Sequence, residues 1–258
     1  MPHLIKIMFN FGAMKILLIY ILLSVIGFTS FGQAITYPTI KKTGQSVESF
    51  VPNGWFIFAQ TNGDLNMDGK NDVALVVQNK DPKFIKTVGK GDNAVEYDAN
   101  HRILIVLFQT AKGTYTLADY HNTLIWRNMT HSRIDPFLGI AIEKQEGKKG
   151  VLIIDFHFYY ESGENVNEPT TVTYKFRYQN NAFELIGAEK TEFLKKSGST
   201  ANYSFDFLGK KVITTIRNSK ASIKETTKTR DIEIKTLKNF RTLFQPLNNN
   251  WEVNKVNL

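Results

Sequence analysis

The strongest constraint on this chain is its punctuation. Short apolar or alternating runs follow one another closely, separated by glycine, asparagine and aspartate, and almost none has a helical period. Trp55–Gln60 is apolar on both faces, and Val73–Gln78 and Ile103–Gln109 are continuous apolar runs bounded by turn residues, as in strands buried on two sides. Ala111-Lys112-Gly113 turns the chain into Thr114–Tyr120, and Leu138–Glu143 and Val151–Tyr160 flank a polar hairpin tip at Lys144–Gly150. The clearest alternation is Thr171–Tyr178. Val172, Tyr174, Phe176 and Tyr178 share one face, Thr173, Lys175 and Arg177 take the other, and Asn180-Asn181 turns into Phe183–Ile186. Tyr203, Phe205 and Phe207 alternate, Val212–Ile216 returns, and Arg230–Thr236 alternates around Ile232 and Ile234. Only Leu237–Phe244 has helical spacing, through Leu237, Phe240 and Phe244.

Strands joined by short turns pair antiparallel. No helical segment of crossover length separates these, which excludes a parallel α/β sheet. The expected fold is therefore all-β: a single antiparallel β-rich domain, built as a sandwich, a barrel or a propeller-like array, with a minor C-terminal helix. The chain lacks the repeat of roughly 40–50 residues that marks a regular propeller. Asp81–Ala99 and Lys195–Ala201 are polar, glycine-containing stretches and read as soft boundaries, not as domain cuts.

The first 32 residues stand outside that pattern. Lys15 precedes an apolar run, Ile16–Phe28, and Ser30 and Gly32 place small residues at −3 and −1 of a cleavage site before Gln33. These are the parts of a signal peptide, residues 1–32, and Met14-Lys15 reads as its natural start. The run is shorter than the roughly 20 residues of a spanning helix, so no transmembrane span is expected after cleavage. The expected location is periplasmic or secreted, with residues 33–258 as the domain. There is no cysteine, which excludes a disulfide framework, a thiol nucleophile and a cysteine-held metal. Loss of Lys6 and Lys15 lowers the net charge from +8 to +6. The surplus lies late in the chain, among interspersed acids, and no aromatic residues interleave with it as a nucleic-acid face requires. Nucleic acid is not an expected partner.

One motif carries chemistry. Asp64-Leu65-Asn66-Met67-Asp68-Gly69-Lys70-Asn71-Asp72 follows the pattern D-x-N-x-D-G-x-x-D. Calcium takes six to eight oxygens in a flexible shell, supplied in a tightly wound loop by alternate side chains and one carbonyl. Asp64, Asn66 and Asp68 are the expected side-chain ligands, Lys70 offers its carbonyl, and Asp72 closes the shell. An EF-hand needs a glutamate at the twelfth position, which here is Leu75, and a helix beyond it; a strand follows instead. The expected role of the ion is structural. The competing reading is an ordinary turn rich in Asp, Asn and Gly.

This loop resembles that of FG-GAP and VCBS-type exported proteins, in which the acidic turn leads straight into a strand. More widely, Pro52-Asn53-Gly54-Trp55, GDLNMDGKNDVALVV, Arg102-Ile103-Leu104-Ile105, Asp135-Pro136-Phe137 and FRYQNNAFELIG resemble an uncharacterised family of exported bacterial β-rich proteins with a GDLNxDG element. A cysteine-containing turn common in that family has no counterpart in Asn128–Arg133. The resemblance implies export and a β-rich fold, and it implies no reaction.

The remaining constellations point to ordinary structure. His101, His121, His131 and His157 have no zinc-ligand spacing. Glu161, Glu164 and Glu168 share one loop, whereas a glycosidase holds two carboxylates across a cleft. Trp55, Trp126 and Trp251 fit a β core, with Trp126 the best candidate for an exposed platform. The leading expectation is a non-enzymatic binding or structural protein of the envelope or medium, acting on an envelope or extracellular ligand and carrying a structural Ca2+. The alternative is a secreted hydrolase acting on envelope polysaccharide.

Overall fold

The computed structural model describes residues 35–128, 134–145, 147–158, 161–162, 165–166, 170–194, 197–218, 225–234, 236–241, 252–253 and 256–257. The signal-peptide reading of residues 1–32 lies outside them. Pro38–Leu258 packs as one unit. Among the described residues it is all-β, with antiparallel sheets and no helix of seven residues or more.

The strands in chain order are β1 (Thr43–Gly44), β2 (Trp55–Gly63), β3 (Asp72–Asn79), β4 (Ile85–Val88), β5 (Val95–Asp98), β6 (Arg102–Gln109), β7 (Tyr115–His121), β8 (Phe137–Gln145) and β9 (Lys148–Phe158). They continue with β10 (Glu161–Ser162), β11 (Asn165–Val166), β12 (Thr170–Gln179), β13 (Ala182–Leu194), β14 (Ser199–Asp206), β15 (Lys211–Asn218) and β16 (Glu225–Asp231). Two sheets carry the fold. The first has five strands in the order β1-β7-β6-β3-β2, and the second has seven in the order β16-β15-β14-β13-β12-β9-β8. Two-residue β17 (Glu252–Val253) and β18 (Val256–Asn257) form a separate pair.

The two sheets share one core. Ala74, Val76, Leu104 and Val106 of the first pack with Leu152, Ile154, Phe156, Val172, Tyr174, Phe176, Phe183 and Leu185 of the second. Each set follows the two-residue period of its strand, so one face of each sheet is committed to this layer. The architecture is a sandwich: among the described residues no ladder joins the two sheets into a barrel. The alternate residues Val73, Leu75, Val77, Ile103, Ile105 and Leu107 are buried too, outside that shared core. Ile40, Val47 and Phe50 of the N-terminal segment join them in burial outside it. The continuous apolar runs of β3 and β6 therefore mark strands covered on both faces, as their sequence requires.

Local turn chemistry sets the register. Asn180 and Asn181 both adopt positive φ, 52° and 57°, the backbone of a two-residue hairpin whose twist matches the flanking strands. The polar stretch 81–99 is an insertion containing the β4–β5 hairpin.

The C-terminal helix is not formed in the described part of Leu237–Phe244; residues 242–244 lie outside the described residues. Leu185 N–H donates to the Lys238 carbonyl at 2.7 Å, Phe240 N–H donates to the Phe183 carbonyl at 3.3 Å, and Glu184 and Asn239 form a β-bridge. The ladder of β13 with β14 begins only at Gly187, which leaves backbone groups at the start of β13 to be paired. An extended segment satisfies them and delivers Phe240 face to face with Phe183, ring centroids 5.2 Å apart. Tertiary pairing overrides the three-residue spacing.

Two glycines set how closely the sheets approach. A Cβ on Gly63, the last residue of β2, would lie 2.6 Å from Ile142 Cγ2. A Cβ on Gly150 of β9 would lie 2.5 Å from the Asp64 carbonyl oxygen, and the Gly150 N–H donates to that oxygen at 2.9 Å. Gly150→Ala is expected to cost about 1–3 kcal/mol by overpacking against backbone, lowering Tm by roughly 2–12 °C. Gly139→Ala has open space in front of it and is expected to melt within about 0.5 kcal/mol of the parent. Equal melting of the two variants in a thermal scan would contradict this close contact.

Candidate metal centre

The loop between β2 and β3 crosses from Gly63 to Asp72, at the seam where Gly150 of the second sheet meets the Asp64 carbonyl. Its winding comes from its own short polar side chains. Asp64 Oδ1 accepts from the N–H of Met67 at 2.6 Å and of Asp68 at 3.2 Å, and Oδ2 accepts from Gly69 N–H at 2.8 Å. Asn66 Oδ1 accepts from Asp68 N–H at 2.9 Å, and Asp68 Oδ1 accepts from Lys70 N–H at 2.9 Å. These side chains bond to backbone two to five residues ahead, which turns the chain back on itself. The reversal needs left-handed backbone at Met67, φ 69°, and at Gly69, φ 81°. Leu65 anchors the loop in the shared core, fully buried, while Met67 points outward.

Asp72 does a different job. Its side chain is fully buried. Oδ2 accepts from Leu65 N–H at 2.9 Å and Oδ1 from Gln109 N–H at 3.0 Å, so one carboxylate ties the loop to the ends of β3 and β6. Burial pushes its carboxyl up to about 6 against the lowering effect of those N–H groups, with the Asp68 charge adding to the rise. Asp68 is held below the usual carboxylate range by the Lys70 ammonium, whose Nζ is 3.0 Å from Oδ2.

The proposed ligands thus lie in one loop. Asp64, Asn66 and Asp68 are turned into its coil, with Lys70 beside Asp68 and Asp72 beneath. Among the described residues, however, no three Asp, Glu or His side chains are gathered tightly enough to hold a metal ion. Their oxygens are engaged by backbone N–H groups and by Lys70. Residue types and order suit a hard cation; a calcium shell requires Asp68 to exchange Lys70 for the ion. Carboxylate oxygens already accepting an N–H retain lone pairs for a cation.

A second polar centre went unnoticed in the sequence. Arg102, at the start of β6, is buried. Its Nη1 donates to Asp135 Oδ1 at 2.8 Å and to the Trp126 carbonyl at 2.7 Å, Nη2 donates to Asp135 Oδ2, and Nε donates to Gln78 Oε1 at 2.7 Å. Gln78 Nε2 passes the chain on to Asp98 Oδ2 at 2.7 Å. The guanidinium also lies over the Phe58 ring, 4.2 Å from its centroid. The available signal was that Arg102 and Asp135 both open elements of the family resemblance.

The other candidates that are described have structural surroundings. His121 Nδ1 accepts from Thr123 and Leu124 N–H, a turn-stabilising role, and His157 lies opposite Thr171 in the second sheet. Glu161 sits in the β10–β11 pair, while Glu164, Glu168, His131 and Trp251 lie outside the described residues. Trp126 is not an exposed platform: it is partly buried against the shared core, edge-on to Phe158 at 5.3 Å. Family models, curated proteins and solved structures provide no match to this chain.

Two predictions follow from these centres. Asp135→Ala leaves a buried guanidinium without its carboxylate and is expected to cost about 3–5 kcal/mol in urea unfolding, whereas Arg102→Met with Asp135→Ala recovers most of that loss. For Asp72, a carboxyl raised from 3.8 to about 6 in the fold means that the native state prefers the neutral acid. Its stabilising contribution is complete below about pH 4 and is lost as pH rises through 6, a difference of about 3 kcal/mol. In chelator, Asp72→Asn is expected to flatten that part of the pH–Tm curve between pH 4 and 7; an unchanged slope would remove Asp72 as its source.

Proposed function

We propose that this chain is an exported, non-enzymatic binding or structural protein of the bacterial envelope or medium, and that its Asp64–Asp72 loop takes up a structural calcium ion. The observation that carries the reading is the loop's place and winding. Three short oxygen-bearing side chains turn inward at alternate positions, and a fourth, the Asp72 carboxylate, is buried beneath them. The loop backbone is bonded to the opposite sheet through Gly150. A divalent cation there would offset the charge of Asp64, Asp68 and Asp72 and brace the seam between the sheets. Its chemistry would be electrostatic crosslinking of loop oxygens, with Asp64, Asn66, Asp68, the Lys70 carbonyl and Asp72 as donors. Export rests on the Lys15–Gly32 signal sequence.

Extracellular calcium modules bind at about 0.1–1 mM. At about 10 mM calcium, a 0.1 mM site adds about 2.7 kcal/mol, an expected Tm rise of roughly 5–11 °C over a chelator control. Magnesium is expected to do much less, because it dehydrates reluctantly and demands octahedral geometry. Asp68→Ala is expected to abolish most of the shift. Lys70→Ala keeps the carbonyl and removes the competing ammonium, so it is expected to tighten calcium binding by up to about fivefold, the weight of an exposed ion pair. A melt indifferent to calcium and chelator alike would reduce the loop to an ordinary turn.

A further inference from the structure

At the far end of β3 and β6 from the metal loop, the chain gathers cations around an aromatic ring. Phe84 closes the turn after Asp81, and its carbonyl accepts from Ala99 N–H at 2.9 Å. His101 stands edge-on to the Phe84 ring at 4.6 Å. Lys83 Nζ lies 4.9 Å and Arg127 Cζ 6.0 Å from the centroid of the same ring. Arg127 Nη1 is 2.7 Å from His101 Nε2 and donates to the Ala99 carbonyl at 3.5 Å.

Three carboxylates near this end already have partners, one of them within the cluster itself. Asp81 pairs with Lys83 at 2.8 Å. Asp98 accepts from Gln78 and from Asn100. Asp135 is taken by Arg102. Arg127 makes no ion pair among the described residues, and its Nε and Nη2 donate no hydrogen bond there. A half-buried guanidinium therefore presents one edge of its fork without a carboxylate among the described residues. His101 registers the excess positive charge: burial first, then Arg127 and Lys83, push its imidazole down to about 4, so at neutral pH it is an uncharged polar wall.

We propose that Arg127, with Lys83 and His101 around the Phe84 ring, forms a binding site for a small oxyanion group, a carboxylate or a phosphate. The planar fork of arginine matches two oxygens of either group, and Lys83, partly offset by Asp81, adds an ammonium at the rim. The metal loop lies about 25 Å away along the eight-residue strands, so the two sites are tested independently.

The experiment follows the His101 ring resonances of the folded domain by NMR, adding inorganic phosphate or acetate to about 20 mM against chloride at matched ionic strength. The expected result is a saturable shift of His101 with at least one oxyanion and a rise in its pKa as the anion offsets the neighbouring cations. A response to phosphate alone assigns a phosphate group, to acetate alone a carboxylate, and to both the shared chemistry. Arg127→Gln is expected to weaken binding at least about tenfold, the loss of a charge-assisted pair. Should that variant fail to fold, Lys83→Glu reverses an exposed charge and is expected to weaken binding about tenfold as well. Asp68→Ala is expected to leave the response intact. A response no different from chloride, or one that survives Arg127→Gln or Lys83→Glu unchanged, overturns the site.

Discussion

A guanidinium inside an apolar sandwich is tolerable only if nearly every donor is used, and Arg102 meets that demand. Its partners come from four separate places in the chain: Gln78 at the end of β3, Trp126 in the connection after β7, Asp135 just before β8, and the ring of Phe58 in β2. Desolvating an arginine costs several kcal/mol, so the arrangement is close to all-or-none. Satisfying Arg102 fixes where the second sheet begins relative to the first, since Asp135 also accepts from Phe137 N–H at 3.0 Å and so starts β8. The pair need not add net stability over an apolar substitute. Its effect is on position: the connection from β7 to β8 has one arrangement that pairs the charge.

The opposite end of the sandwich is held by a different balance. There the sheets meet through backbone, Gly150 N–H to the Asp64 carbonyl, and through Gly63 against Ile142. The carboxylate of Asp72 is buried to organise this meeting, at the cost of a charge in a poor environment. The two ends therefore use opposite solutions to the same difficulty. Arg102 brings its counter-charge in the protein, whereas Asp72 relies on neutral N–H dipoles.

Much of the fold was legible because burial writes itself into period. The two-sided runs of β3 and β6, the alternation of β12 and the Asn180-Asn181 hairpin each follow from residues that touch their determinants within a few positions. The failures share a cause. β16, Glu-Thr-Thr-Lys-Thr-Arg-Asp, is exposed along its whole length and contains no apolar residue; it is a strand because its backbone pairs with β15, and hydrophobic pattern carries no record of that. The alternation around Ile232 and Ile234 points to a strand at Arg230–Thr236, although the ladder ends at Asp231. The absence of helix over Leu237–Arg241 has the same origin, since the start of β13 needs backbone partners that only the assembled sheet reveals.

For the sites, the division falls along sequence distance. The winding of the Asp64–Asp72 loop was visible because its turn chemistry is local, set by side chains reaching two to five residues along the same backbone. The sequence by itself thus determined an antiparallel β protein with one acidic, tightly wound loop running straight into a strand. Only the tertiary structure decided that Asp72 lies buried between Leu65 and Gln109, that Asp68 is turned to Lys70, and that Arg102 and Asp135 are partners across 33 residues. Those facts depend on which strand edges meet. That choice is made by the total burial and hydrogen bonding of two sheets, and no short window of residues contains it.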